Sequence, residues 1–419
     1  MRNKALIIFV LAAFSPFISI AQLTLEVCHE KARANYPLVN QYGLINEAES
    51  FNLANANKGY FPQFSLSAKA TYQSEVTELP IAMPGVKAMS KDQYQAVAEV
   101  NQIIWDGGAI RSQKAINTSS TEVDRQKYEV DMYAINERVN QMFFGVLLLN
   151  EQQKITEILL KELENSFNRI SALIRNGVAN ESDLNSIKVE QLKAKQKMVE
   201  LQSMVKAYTE MLSVFIGETI SNETVLLKPE YRIDESENLI NKRPELSLFD
   251  AQINFFESQK KSIASANKPK LGVFLQAGYG KPGLNMLKDE FTPFYIGGIR
   301  LQWNLSSLYT QSSNLSKIEI NKKTVGYQKE SFIFNTNLKL AQQNNEIEKF
   351  LELIKTDDEI ISLRKSIKQS AEVKVENGTL SVTELIREVN AENMAVQEKA
   401  LHEMQLLISI YNIKNTTNN

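Results

Sequence analysis

The chain has little with which to do chemistry. Its 419 residues include one cysteine, Cys28, and two histidines, His29 and His402. A lone cysteine excludes an intrachain disulfide framework and a cysteine-based zinc site; Cys28 reads as a small buried apolar side chain. The histidines lie far apart in polar helical contexts, where helix packing or a surface position accounts for them. No phosphate-binding loop, no Gly-x-Ser-x-Gly and no HExxH occurs. Acidic residues are plentiful but spread along helices, as solvated faces are. No nucleophile, base and orienter set is visible, so the expectation is no enzyme, no metal and no cofactor. Charge of one sign is lacking too: 47 basic residues stand against 49 acidic ones, which argues against a nucleic-acid partner.

Long apolar runs are equally scarce. Met1 to Gln22 reads "MRNKALIIFVLAAFSPFISIAQ", with Arg2 and Lys4 ahead of an apolar stretch from Ala5 to Ile20 and a small-residue site at Ser19-Ile20-Ala21. This pattern predicts a signal peptide over 1–21 and an exported chain. No later stretch approaches the roughly 20 apolar residues of a membrane helix.

Proline is absent between 85 and 228 and again after 293. Proline breaks helix interiors, so the two tracts predict long helices. The halves also overlay. A shift of 207 puts Tyr36–Tyr72 on Arg243–Tyr279, matching Pro37 with Pro244 and Pro62 with Pro269. A shift of 201 puts Gly177 on Gly378 and Leu184 on Leu385. One unit is therefore written twice: a first repeat over 22–216, an irregular polar segment over 217–242, a second repeat over 243–413, and a polar tail over 414–419.

Each repeat has one order of elements. A helix (38–58, then 245–267) is entered through a proline. A strand follows: in "QFSLSAKATYQ", 63–73, Phe64, Leu66, Ala68, Ala70 and Tyr72 alternate with Gln63, Ser65, Ser67, Lys69 and Thr71. That period of two gives one apolar and one polar face. Its counterpart is 270–280. A second strand is predicted at 94–105 and at 294–305, where Tyr295, Ile299, Leu301 and Trp303 share a face. Long helices come next. From Asp106 to Arg175 a helix would run roughly 105 Å, with a heptad seam through Val139, Met142, Val146, Leu149, Gln153, Thr156, Leu160, Leu163, Phe167, Ile170 and Ile174. The seam resumes from Leu184 to Phe215, and a less regular one runs through Ile386, Val389, Val396, Leu407 and Ile410.

Between the paired long helices stand "RNGVANESDL", 175–184, and "ENGTLSVTEL", 376–385. Gly177 and Gly378 sit where a left-handed residue ends a helix. Asn180 with Asp183, and Ser381 with Glu384, have the spacing of capping boxes that start the next one. Each motif predicts the tip of a helical hairpin.

Four strands with an apolar face cannot span a bilayer alone, because lipid tolerates no open sheet edge and the smallest membrane barrels have about 8 strands. Several chains must share one barrel. Two would give a barrel filled by side chains; three would give twelve strands around a water-filled lumen. The predicted fold is mainly α with a small membrane β-barrel contribution: a trimeric 12-strand barrel continuing into a coiled-coil tunnel. Tyr60, Phe61, Tyr94, Trp105, Phe294 and Trp303, near strand ends, are expected to mark the membrane interfaces.

The residues at this point resemble the TolC-like outer-membrane efflux proteins of Gram-negative bacteria. The resemblance rests on "LTLEVCHEKARANYP", "GYFPQFSLSA", "QIIWDGG" and both tip motifs, in order, within a duplicated frame. The second junction, "LQWNLSSLY", lacks the Gly pair. The resemblance implies an outer-membrane homotrimer, a periplasmic tunnel, and docking to a periplasmic adaptor coupled to an inner-membrane pump. The chain would then be a passive exit duct for small molecules or exported proteins. Residues matching the adaptor-contact tips are Gly177, Val178, Gly378 and Thr379, with Asn176 and Asn377 beside them. Those matching the periplasmic gate are Ser182, Asp183, Glu384 and Arg387. Two departures from the family pattern stand out: Leu380 where an arginine often pairs with the first tip's acid, and Arg387 where an aspartate is common. Glu384 and Arg387, one helical turn apart, are expected to pair within or between chains. The alternative function is a non-channel coiled-coil surface or adhesive protein, which would have no use for paired strands.

Overall fold

The computed structural model describes residues 22–77, 89–175, 177, 179–221, 224–230 and 240–418. The expected signal peptide lies outside the described residues, as do Asn176 and Val178. Two compact units emerge, and each gathers segments from both sequence repeats: one from 40–128 and 244–331, the other from 1–39, 129–243 and 332–419.

The first unit carries the sheet. Helix α2, Gln41–Asn57, leads into β2, Gln63–Tyr72, and then β3, Asp92–Trp105. Helix α5, Pro244–Ala266, leads into β5, Lys270–Lys281, and β6, Thr292–Gln302. The order is β2-β3-β5-β6, antiparallel throughout. Among the described residues, strands β2 and β6 are edges, each with one side unpaired. Register fixes the faces, since directly opposed residues share one. Leu66 opposes Ala98, which opposes Ala277, which opposes Tyr295. One face thus collects Phe64, Leu66, Val100, Leu275, Ile299 and Leu301 with a patch of alanines; its charges, Asp92 and Lys281, lie only at one end. The opposite face collects Gln63, Ser65, Ser67, Lys69, Gln95, Glu99, Asn101 and Gln276.

The exposure of these faces inverts that of a water-soluble sheet. Leu66 is 82% exposed, Phe64 79% and Ile299 75%, while the polar face of β3 and β5 is half-buried. A bulge between Ile103 and Trp105 adds Ile104 to β3, so Trp105 falls opposite Leu271 on the apolar face.

The turn after β3 explains "WDGG". Asp106, buried, accepts from the backbone N–H of Gly108 (2.8 Å) and Ile110 (2.6 Å), capping the helix that follows. Gly107 and Gly108 both take positive φ, 69° and 88°, which a side chain would oppose. At the second junction Asn304 accepts from the N–H of Ser306 at 3.2 Å, so an Asn-Ser version replaces the Asp-Gly one. Asp106→Ala is expected to cost about 1–2 kcal/mol of local stability. Hydrogen exchange at Gly108 to Ser112 should rise while the sheet is unaffected.

Helices α3, Ala109–Arg175, and α6, Ser307–Glu376, begin in this unit and continue into the second. Arg125 on α3 holds Asn46 (2.8 Å) and Glu49 (2.5 Å) of α2, and Lys329 on α6 holds Asp250 of α5 at 2.6 Å.

The second unit holds the hairpins: α3 returns through α4, Glu181–Ile216, and α6 through α7, Val382–Thr417. The predicted seams are its core. Val139, Met142, Val146, Leu163, Ile170, Ile187, Leu201, Leu212 and Leu407 are all buried. Polar breaks in the seams are satisfied: Thr156 donates to the carbonyl of Gln152 at 2.8 Å, and Gln191 to that of Leu163 at 3.3 Å.

Three features of this unit depart from the sequence reading. Helix α1, Leu25–Asn35, gives bounds to the helical context expected around His29, which the order of elements leaves out; Thr24 caps it, and the Asn35 amide donates to the carbonyls of Val214 and Phe215 where Gly217 ends α4 at φ 72°. A parallel ladder of β1, Gln22–Leu23, with β4, Val225–Leu226, crosses the segment expected to be irregular. The expected polar tail is helical to Thr417, because Thr417 is buried and its carbonyl accepts the N–H of Lys242 at 2.8 Å.

Cys28 lies wholly buried on α1, and burial pushes its thiol up to about 12. A maleimide at pH 8 should therefore label native protein slower than denatured protein by on the order of a hundredfold or more. His29 bonds Asn140 at 2.7 Å and His402 bonds Asp357 at 2.8 Å, so both pack between helices. Among the described residues no helix is long and apolar enough to cross a membrane, and no group of residues is arranged to hold a metal ion.

Candidate functional sites: hairpin tips and the exposed sheet

Both tips are built by backbone termination followed by a capping box. At the second, the N–H of Gly378 (φ 69°) donates to Val375 O at 3.0 Å and that of Thr379 to Lys374 O at 2.9 Å. That is a Schellman closure of α6. The side chains of Asn377 and Thr379 turn back to the same helix end, bonding Val373 O and Lys374 O, each at 3.0 Å. At the first tip Gly177 takes φ 73°, with open space where a Cβ would be. Asn180 and Asp183, and Ser381 and Glu384, form complete capping boxes. One apolar core ties the two tips together: Leu163 and Ile170 of α3, Ile187 and Ala194 of α4, Ala371 and Val375 of α6, and Leu385 and Val389 of α7.

The gate candidates are placed but not paired with one another. Asp183 and Glu384 spend their carboxylates on the N-terminal amides of α4 and α7. Ser182 accepts through its carbonyl from the Ser186 hydroxyl at 2.9 Å. Arg387 reaches Glu388 at 3.2 Å rather than Glu384, so the expected pairing is not made within the chain. The capping box holds Glu384 back, while Glu388 also accepts from Arg364 at 3.4 Å. Leu380, partly buried, packs against the apolar core of the tips.

Sequence reasoning missed the strongest electrostatic feature nearby. Lys368 of α6 sits between Glu162 of α3 and Glu392 of α7, with 13% of its side chain exposed. Burial works against its charge, yet the two carboxylates hold its pKa above the usual lysine value. No spacing announces this triad, because its members come from three helices.

The aromatic ends of the sheet are only partly as expected. Tyr60, Phe61, Tyr94, Trp105 and Trp303 are exposed. Phe294 is a correction: it is buried on the polar face, its ring over Gly278 of the opposing strand, where a Cβ would meet it at 2.3 Å. The aromatics that join Tyr94 are instead Tyr279 and Phe291, with ring centroids 5.6 Å from each other and Phe291 6.1 Å from Tyr94. Trp303 lies just past β6 and donates from its indole to Asn267 O at 3.0 Å, so one edge is polar-anchored and the rest is apolar, as at a membrane interface.

A duplicated helix-strand-strand-helical-hairpin chain, with its sheet apolar side out, defines a channel-tunnel fold. Residues 29–218 match the family profile described as outer membrane efflux protein. Among solved structures, the outer membrane protein VceC from Vibrio cholerae matches with a TM-score of 0.69 at 12% identity, covering 94% of this chain and 96% of its own. The CmeC outer membrane channel of Campylobacter jejuni matches with a TM-score of 0.66 at 13% identity, covering 94% and 85%. The open state of the Neisseria gonorrhoeae MtrE outer membrane channel matches at 0.66 and 11%, covering 94% and 89%. No curated protein sequence matches the chain. The chain thus resembles the outer membrane efflux proteins by sequence over residues 29–218 and shares the fold of outer-membrane channel proteins over nearly all of its length.

Proposed function

We propose that three copies close their sheets into one 12-strand barrel in the outer membrane of a Gram-negative bacterium, and that the hairpins continue it as a periplasmic tunnel. The assembly is a passive exit duct. A periplasmic adaptor, coupled to an inner-membrane pump, docks at Asn176, Gly177, Val178, Asn377, Gly378 and Thr379. Ser182, Asp183, Glu384 and Arg387 line its periplasmic gate, where Arg387 exchanges Glu388 for an acid of a neighbouring copy.

The sheet carries this reading. Its apolar side chains are exposed, and among the described residues its β2 and β6 edges have no partner strand. In lipid both conditions are met only when the edges of successive chains pair and the ring closes. A coiled-coil surface protein has no use for such a sheet. Membrane extracts should yield a heat-modifiable band, and the purified chain should conduct ions in planar bilayers. A chain extracted without detergent, with no conductance, would overturn the proposal.

A further inference from the structure

The polar face of the sheet has an uneven charge. Strand β2 contributes Lys69, β5 Lys270 and β6 Arg300, against a single acid, Glu99, on β3. Three cations less one acid leave two net positive charges per chain. Glu99 is fully engaged: one carboxylate oxygen accepts from Asn101 (2.6 Å) and Arg300 (3.1 Å), the other from Gln276 (2.6 Å). Arg300 in turn donates to the Asn101 carbonyl oxygen at 3.1 Å and lies 4.5 Å over the ring of Phe274. Lys69 and Lys270 are exposed.

The same face has a greasy belt. Val97, Phe274, Phe294 and Ile296 occupy neighbouring positions on it. Phe294 opposes Gly278 and Phe274 opposes Gly298, and a Cβ on either glycine would meet the facing ring at 2.3 Å and 3.1 Å. The rings therefore lie down against the strands instead of standing up from them. Phe294 is buried and the Arg300 guanidinium covers the Phe274 ring, so neither ring offers a free face and the exposed groups here are the two lysines.

From these unbalanced, exposed lysines we infer that the barrel favours anions over cations. The inference rests on the duct reading above, which turns this face to the lumen. Fixed positive charge on a water-filled pore raises the local concentration of anions and excludes cations. A wall built for metal cations would carry the opposite charge.

Reversal potentials in planar bilayers under a KCl gradient test it, with the full chain. The wild type should pass chloride ahead of potassium. Lys69→Gln with Lys270→Gln should lower that ratio by about twofold or more, with single-channel conductance in symmetric salt showing that the variant still assembles. Potassium preference in the wild type, or an unshifted reversal potential in the double variant, overturns the inference while leaving the duct intact. Absence of any conductance removes the duct itself.

Discussion

Arginine placed at Leu66 or Leu275 should keep the chain out of the membrane, whereas arginine at Ser67 should not. Leu66 and Leu275 are 82% and 53% exposed near the middle of the apolar face. Ser67 neighbours Leu66 on the same strand but belongs to the polar face. A lipid-facing arginine near the bilayer midplane costs about 2–4 kcal/mol, and the penalty recurs in every copy of a symmetric ring. The double variant should lose nearly all of the heat-modifiable, detergent-extracted species. Ser67→Arg should retain it, because a water-filled lumen hydrates the guanidinium. Equal tolerance at all three positions would mean that the two faces see the same solvent, which no membrane barrel permits.

The second large effect is expected at Lys368. Lys368→Ala leaves Glu162 and Glu392, 26% and 14% exposed, facing each other without a cation. Removing one partner of a buried ionic group costs roughly 3–5 kcal/mol. The lower end is expected here, since Glu162 retains some contact with water. The loss should be local. Hydrogen exchange should accelerate along α6 and α7 around residues 360–395, while β2 to β6 keep their protection. Adding Glu162→Gln and Glu392→Gln should recover most of it. The pH dependence has a definite sign. Because the folded-state pKa of Lys368 is raised, its contribution is complete at and below the ordinary lysine value and is lost only as pH climbs through the raised one. Between pH 7 and 9 the wild-type hairpins should show no change from this group.

Much of this was legible in the sequence because it depends on local rules. The proline-free tracts became α3, α4, α6 and α7 with ends within a few residues of those expected. Gly177 and Gly378 stop helices because of their own backbone, and both capping boxes are complete within four residues. The period of two in β2 survives unchanged in its register with β3. What sequence reading missed depends on distant partners. A helical context is legible around His29, but the extent of α1 is not: it is set by the burial of Leu25, Cys28 and Ala32 and by Asn35 reaching the end of α4. Phe294 was assigned to an interface for being aromatic near a strand end. Its parity with Tyr295 already placed it on the other face, and Gly278 opposite was the signal for where its ring goes. The extension of α7 past Ile413 rests on the bond between Lys242 and Thr417, 175 positions apart in the chain. The Glu162–Lys368–Glu392 triad needs three helices in register and leaves no trace in spacing.

The central claim is that one chain's unpaired β2 and β6 edges are completed by other copies of itself. Native mass spectrometry of the full chain released from detergent micelles counts those copies directly. The account predicts a single species of three chains. A monodisperse single chain that stays folded in water without detergent would contradict it.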